Sequence, residues 1–100
     1  MNIQKMLKQA QQMQAKMEVM QEELAQKEVL GASGGGAVQV TLSGKHDMKA
    51  ITIDASLVDP AEKEMLEDMI IAAFNDAKQK ADALNADAMS DATGGMKLPF

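Results

Sequence analysis

The sequence has no cysteine, tryptophan, tyrosine or arginine, and its only aromatic residues are Phe74 and Phe100. The absence of cysteine excludes disulfides and thiolate metal sites. The absence of arginine removes the planar guanidinium that best clamps phosphates and reads guanine edges. No stretch has the apolar run of a signal peptide or of a membrane span, so we expect the chain to stay in the cytoplasm.

The 100 residues are 46% apolar and include ten methionines. This composition predicts a single small domain with a soft core of methionine, leucine, isoleucine, valine and alanine. Domains of this size often depend on a partner for stability.

The net charge of −5 is unevenly distributed. Residues 1–58 contain six lysines and six acids, whereas residues 59–100 contain four lysines and nine acids. Residues 1–17 carry Lys5, Lys8 and Lys16 and no acid, which makes one end of the molecule locally positive.

Residues 1–28 contain no glycine or proline and consist mainly of good helix formers, so we predict a helical arm. Its apolar residues recur alternately three and four positions apart, which is the heptad pattern of a coiled coil or helix pair. They are Ile3, Met6, Ala10, Met13, Met17, Met20 and Leu24. At 1.5 Å per residue the helix is roughly 40 Å long, so it must project from its domain or lie against another chain.

A sheet is predicted over residues 29–58. The alternation of apolar and polar residues over 37–43 and the strand pattern of 48–54 predict an antiparallel hairpin, and 27–30 fits a short edge strand. We expect the glycine-rich segment 31–36 to form a flexible turn or bulge between the edge strand and the hairpin.

Asp59-Pro60-Ala61-Glu62 is a strong helix start and predicts a second helix over 59–89. Its apolar stripe is broad at first and then narrows to alanines, so we expect its first half to pack on the sheet and its second half to project. The remaining residues, 90–100, are predicted to be a mobile tail.

These elements define an α+β fold with two long helices around a two- or three-stranded antiparallel sheet. A homodimer joined through sheet and helices would bury the thin sheet and the exposed helix together. The residues predicted at the dimer interface are Val38, Val40, Leu42, Ile51, Ile53, Met13, Met17 and Met20.

Nothing in the sequence predicts catalysis, a metal site or a cofactor. His46, the single histidine, is interpreted as a solvated turn residue, because a catalytic or metal site needs a constellation of groups. The neighbouring acids of the helices fit solvated faces, and the glycines at 34–36 lack the ending of a phosphate loop. The methionine stripe fits a packing seam, with a partner-binding groove or a membrane-surface helix as alternatives.

Four blocks and a short tail motif resemble the YbaB/EbfC family of bacterial nucleoid-associated proteins. They are MLKQAQQMQ at 6–14, SGGGAVQVT at 33–41, ITIDASLV at 51–58, KEMLEDMIIAAFNDA at 63–77 and GGM at 94–96. The blocks occur in order over nearly the whole chain.

The resemblance implies a tweezer-shaped homodimer whose first and last helices are projecting arms that bind double-stranded DNA with limited sequence preference and without catalysis. It implies a location at the nucleoid. Mapped onto this sequence, the DNA-binding residues are Lys5, Lys8, Lys16, Lys78 and Lys80, with Lys45 and Lys49 near the hairpin turn as further candidates.

The sequence departs from the family pattern at Gln39 and at Lys49-Ala50, where relatives commonly carry more basic residues. If about four to six lysines per dimer contact phosphates, the logarithmic salt slope of binding should be near −4 to −5. The negative net charge favours an alternative, an adaptor whose methionine-rich arms bind a protein of the DNA repair machinery.

Overall fold

The structure, a computed structural model, describes residues 2–92. In chain order it consists of α1 (Ile3–Gln26), β1 (Glu28–Ser33), β2 (Val38–Ser43), β3 (Met48–Ile53) and α2 (Lys63–Ala92). The predicted α+β class and element order are confirmed, with three strands in the sheet. Of the predicted tail, residues 90–92 belong to α2, and residues 93–100 lie outside the described residues.

The sheet is antiparallel with strand order β1-β2-β3, so β2 is central and the other two strands are edges. The β2–β3 hairpin contains a bulge: Thr41 pairs with Ala50 but Leu42 pairs with Met48, which leaves Lys49 as the extra residue. This irregularity lies beside the hairpin turn.

The glycine-rich segment differs from its prediction. Gly31, Ala32 and Ser33 continue β1, and only Gly34–Gly36 form the turn, a short 3-10 segment in which all three glycines have positive φ. Gly31 lies under α2, where an added Cβ would overlap the backbone of Ala73 and Ala77. The composition at 31–33 is typical of a loop because these residues are small, and at Gly31 the reason for the small residue is the helix directly above it.

The core lies between the sheet and α2. Val38, Val40 and Leu42 are fully buried on one face of β2, against Ala73 and Ala77 of α2. Ala73, Ala77 and Ala81 are the most buried residues of α2, whereas Met65 and Ile71 are exposed. The expectation that the alanine-rich half of α2 projects is therefore wrong at Ala77 and Ala81, because small side chains are what allow the helix to pack closely there.

The helix starts follow the capping rules. Asn2 accepts a hydrogen bond from the backbone N–H of Lys5 (3.3 Å), and Asp59 accepts one from Ala61 N–H (3.0 Å). Pro60–Glu62 form a 3-10 turn that leads into α2 at Lys63. The predicted cap at Asp59 is correct, and the regular helix begins four residues after it.

Only the C-terminal end of α1 is packed on the rest of the protomer. Met20 and Leu24 are its buried residues, and the backbone N–H of Gly44 in the hairpin turn donates to the carbonyls of Leu24 and Lys27, both at 3.0 Å. The remainder of α1 projects, so that the molecule measures 69 × 23 × 16 Å and has a radius of gyration of 19.2 Å. A compact chain of this length would have a radius of gyration of about 13 Å.

Candidate nucleic-acid interface

The projecting part of α1 carries three lysines on solvent-exposed positions. Lys5, Lys8 and Lys16 are exposed, and the first acid of the helix is Glu18. The charged residues of the arm, which we define as residues 3–17, are therefore all basic, and only its base, at Ala15 and Lys16, faces α2 across an open cleft. Such a surface attracts polyanions, most strongly towards the tip at Lys5 and Lys8, which lies farthest from the acids of the chain.

The other face of the arm is apolar. Ile3 is 69% exposed and Met13 is 49% exposed, and Met6 and Leu7 lie between them with similar exposure. The same heptad stripe is buried further along the helix, where Met20 and Leu24 pack against the body of the protomer. The stripe thus has an intramolecular partner at the base of the arm and none within residues 2–92 towards its tip.

Lys45 and Lys49 lie at the base of the arm. Both are exposed, Lys45 in the hairpin turn next to Gly44 and Lys49 at the bulge of β3. The turn is well ordered by hydrogen bonds, because Ser43 Oγ accepts from the backbone N–H groups of Lys45 (3.1 Å) and Asp47 (3.2 Å). The structure therefore brings Lys45 close to the end of α1, although not to the arm lysines.

Lys78 and Lys80 occupy the part of α2 that lies over the sheet, rather than a projecting arm. Lys78 is exposed. The ammonium of Lys80 donates to the carbonyl of Leu30 in β1 (2.8 Å) and lies 3.3 Å from the carboxylate of Asp76. Lys80 is thus already engaged within the chain, and its i,i+4 spacing from Asp76 is a sequence signal for the ion pair but not for the bond to Leu30.

The residues predicted at a dimer interface fall into two groups. Val38, Val40 and Leu42 are 0% exposed, so these side chains pack inside the chain's own core and cannot present a surface to a partner, whereas Met20 is 8% exposed at the wall of an open cleft. This corrects their assignment, since alternation identifies a buried face without saying what covers it. Exposed or half-buried side chains remain at Ile51, Ile53, Met13 and Met17.

His46 differs from the solvated residue that the sequence suggested. It has positive φ (69°), and its Nε2 lies 2.7 Å from Oδ1 of Asp82 on α2. Asn85 of α2 donates to the carbonyl of Gly44 in the same turn (2.6 Å). The two contacts hold the hairpin turn against α2, and hence fix the base of the arm. Their sequence separations of 36 and 41 residues explain why local patterns did not reveal them.

Other kinds of site have little support in the described part of the chain. Among residues 2–92 there is no group of three or more histidines, cysteines, aspartates or glutamates that could hold a metal ion. An open cleft of about 500 Å³ lies beside α1, with Val19 and Met20 on one side and Ala88 of α2 on the other. None of the helices in this part of the chain is long and apolar enough to cross a membrane.

The fold and the exposed lysines define a small α+β protein with a basic helical arm. Comparison with known proteins identifies the family to which it belongs. Residues 1–96 match the YbaB/EbfC DNA-binding family, and the chain belongs to that family. This is a family of nucleoid-associated DNA-binding proteins and not of enzymes.

Close relatives are nucleoid-associated proteins of two bacteria. The chain is 55% identical to one from Rhodospirillum rubrum and 56% identical to one from Paramagnetospirillum magneticum, in each case over 98% of this chain and 92% of the relative. The fold is also similar to the crystal structure of an uncharacterised protein from Helicobacter pylori. That similarity has a TM-score of 0.82 at 21% identity, over 91% of this chain and 96% of the other.

Proposed function

We propose that this protein is a nucleoid-associated protein that binds double-stranded DNA as a homodimer, through contacts of lysines with backbone phosphates. The observation that carries the proposal is the basic arm, whose three exposed lysines have no acidic neighbour in residues 2–17. The names of its relatives support location at the nucleoid. The protein acts by binding, without catalysis and without a cofactor.

Phosphate contact rather than base readout follows from the available side chains. Lysine presents a point charge on a flexible stem, and the bidentate guanidinium that reads guanine is absent from the sequence. Sequence preference should therefore be limited. Lys5, Lys8 and Lys16 are the principal contacts, Lys45 and Lys49 extend the surface at the base of the arm, and Lys78 contributes from α2.

Dimerisation is proposed through β3 and the base of the arms. Ile51 is 43% exposed, although it pairs with the fully buried Val40, because α2 covers β1 and β2 and leaves β3 open. Met48 on the same strand is similarly exposed. A second copy of the chain would cover these side chains and would provide a second arm for the other side of a duplex.

The experiment that tests the DNA function is fluorescence anisotropy of a labelled duplex of roughly 30 base pairs, titrated with protein at several salt concentrations. We expect the logarithm of the affinity to fall linearly with the logarithm of salt, with a slope of about −4 to −5. Replacement of Lys5, Lys8 and Lys16 by glutamine should remove most of the slope and of the binding.

The matched control is Lys63→Gln, because Lys63 is an exposed lysine of α2 that pairs with Glu67 (3.0 Å) outside the arm. It should leave both affinity and slope unchanged. Absence of binding by the unmodified protein at low salt, or normal binding by the triple variant, would contradict the proposal.

A second candidate function is an adaptor that binds a protein of the DNA repair machinery, and the exposed apolar stripe of the arm favours it. Two substitutions separate the two functions, because each introduces a glutamate on a different face of α1. Met13→Glu alters the apolar face, and Lys8→Glu alters the basic face. A phosphate-binding arm should lose more DNA affinity with Lys8→Glu. An adaptor should lose its protein partner with Met13→Glu and keep it with Lys8→Glu, as measured by pull-down.

A further inference from the structure

The two edges of the sheet are treated differently by the rest of the chain. An edge strand presents unpaired N–H and C=O groups that can pair with the strand of another molecule. Here β1 and β3 are the edges, each hydrogen-bonded to β2 on one side only. A strand could be added at either edge unless other groups of the chain occupy the outward-facing N–H and C=O groups.

On the β1 edge, two side chains of α2 bind the outward-facing backbone. The backbone N–H of Ala32 donates to Oδ2 of Asp76 (3.0 Å), and the carbonyl of Leu30 accepts from the ammonium of Lys80 (2.8 Å). Asp76 and Lys80 also pair with each other at 3.3 Å. The N–H of Ala32 and the C=O of Leu30, which could otherwise pair with an added strand, are thus already hydrogen-bonded.

Tight packing of α2 on β1 brings these two side chains to the edge. Gly31 lies directly under Ala73 and Ala77, and the absence of a Cβ at Gly31 lets the helix backbone approach the strand. Asp76 and Lys80 are one helical turn apart, so both project on the same side of α2, beyond the strand. The pair consequently stands in the position that an added strand would occupy.

The β3 edge has no such cover. Within residues 2–92, the side-chain hydrogen bonds to outward strand backbone are those of Asp76 and Lys80, and both go to β1. The side chains of β3 are exposed or half-buried along its whole length, and Met48 and Ile51 add apolar surface.

We propose that Asp76 and Lys80 close the β1 edge against strand addition, and thereby direct assembly to β3, where a second copy of this chain pairs. The identity of that partner rests on the homodimer proposed above, whereas the closure of β1 does not. Without the closure, a protomer has two open edges, and association can continue from one molecule to the next instead of ending at two.

The test is the mass of the purified full chain in solution, measured by size-exclusion chromatography with light scattering over a range of concentrations. We expect the unmodified protein to remain a dimer. The double variant Asp76→Ala/Lys80→Ala should form tetramers and larger species whose proportion rises with concentration.

The matched control is Lys63→Ala/Glu67→Ala, which removes an exposed i,i+4 pair of the same two charges from the same helix. It should keep the mass of the unmodified protein, because this pair lies near the start of α2, outside the segment over β1. Circular dichroism and a thermal melt establish that each variant is folded. If the double variant does not fold, Lys80→Met alone frees the Leu30 carbonyl and keeps the apolar stem over the strand.

The two proposals fail differently. A monomeric unmodified protein would refute the dimer, and closure of β1 would still be judged by whether the variant gains larger species. A folded variant whose mass equals that of the unmodified protein at every concentration would overturn the closure of β1.

Discussion

Gly31 shows how a single hydrogen in place of a side chain sets the geometry of this protein. Its position in the middle of a strand carries an intrinsic cost, because glycine has no side chain to pack and has more backbone freedom to lose. The structure offsets that cost by bringing α2 into close contact with β1. The helix approach in turn places Asp76 and Lys80 at the strand edge.

We predict that Gly31→Ala destabilises the protein by about 2–3 kcal/mol, the upper part of the range for an overpacked core. The added methyl group would overlap backbone atoms of Ala73 and Ala77, which cannot move aside as a flexible side chain can. Urea denaturation measures the change. Gly35→Ala is the control, since a Cβ there meets no atom within 4 Å and the cost is only that of positive φ, about 1 kcal/mol.

Asp76 links stability to pH. The hydrogen bond from the Ala32 backbone, and secondarily the bond from Lys80, lower the pKa of Asp76 below its ordinary value. A lowered folded-state pKa means that the contribution of Asp76 to stability is fully present above the unfolded value of about 3.9. The contribution is lost as the pH falls through the lower, folded-state value.

We therefore expect Asp76→Asn to melt at a lower temperature than the unmodified protein at neutral pH, with the difference shrinking as the pH falls below about 3.9. Thermal melts followed by circular dichroism across this range provide the measurement. Asp68→Asn, at an exposed position of the same helix, controls for the general effect of removing a negative charge. A difference that stayed constant down to the lowest pH would show that the carboxylate charge is not what stabilises this contact.

At the scale of elements, β3 is the strand of the sheet that α2 leaves uncovered. The alternation of the chain predicted that the face of the hairpin containing Val38, Val40 and Ile51 is buried. It could not predict that α2 would cover β2 and leave β3 open. That outcome depends on where the helix axis crosses the sheet, which is fixed by distant residues such as Gly31.

We predict that Ile51→Glu converts the proposed dimer to a monomer with an intact fold, because a charge on the open face of β3 resists burial in an interface. Light scattering reports the mass and circular dichroism reports the fold. Val58→Glu serves as the control, since Val58 is a more exposed apolar residue in the connection to α2 rather than in the sheet. Dimers that persist in Ile51→Glu would place the interface elsewhere.

At the scale of the whole molecule, the sequence predicts the secondary-structure elements better than it predicts the contacts between them. The heptad spacing of α1, the alternation in β2 and the cap at Asp59 are local signals, and each led to the correct element. The His46–Asp82 pair and the bond from Lys80 to the carbonyl of Leu30 join residues 36 and 50 positions apart, so no local pattern encodes them. A lysine looks the same in sequence whether it faces solvent or the carbonyl of an edge strand.

Because α1 is attached to the rest of the chain only at its C-terminal end, a small rotation there moves its N-terminal tip a long way. The point of attachment is the hydrogen bond from the N–H of Gly44 to the carbonyl of Leu24. From there to Ile3 the helix spans roughly 30 Å at 1.5 Å per residue. A rotation of α1 by about 10° about this attachment would displace its tip by about 5 Å, close to one helical pitch. In the proposed homodimer, a small change in the packing of Leu24 on Gly44 would therefore become a large change in the distance between the tips of the two α1 helices. A device of this kind suits a target whose width and curvature vary along its length, and it suits poorly any recognition that depends on fixed atomic positions.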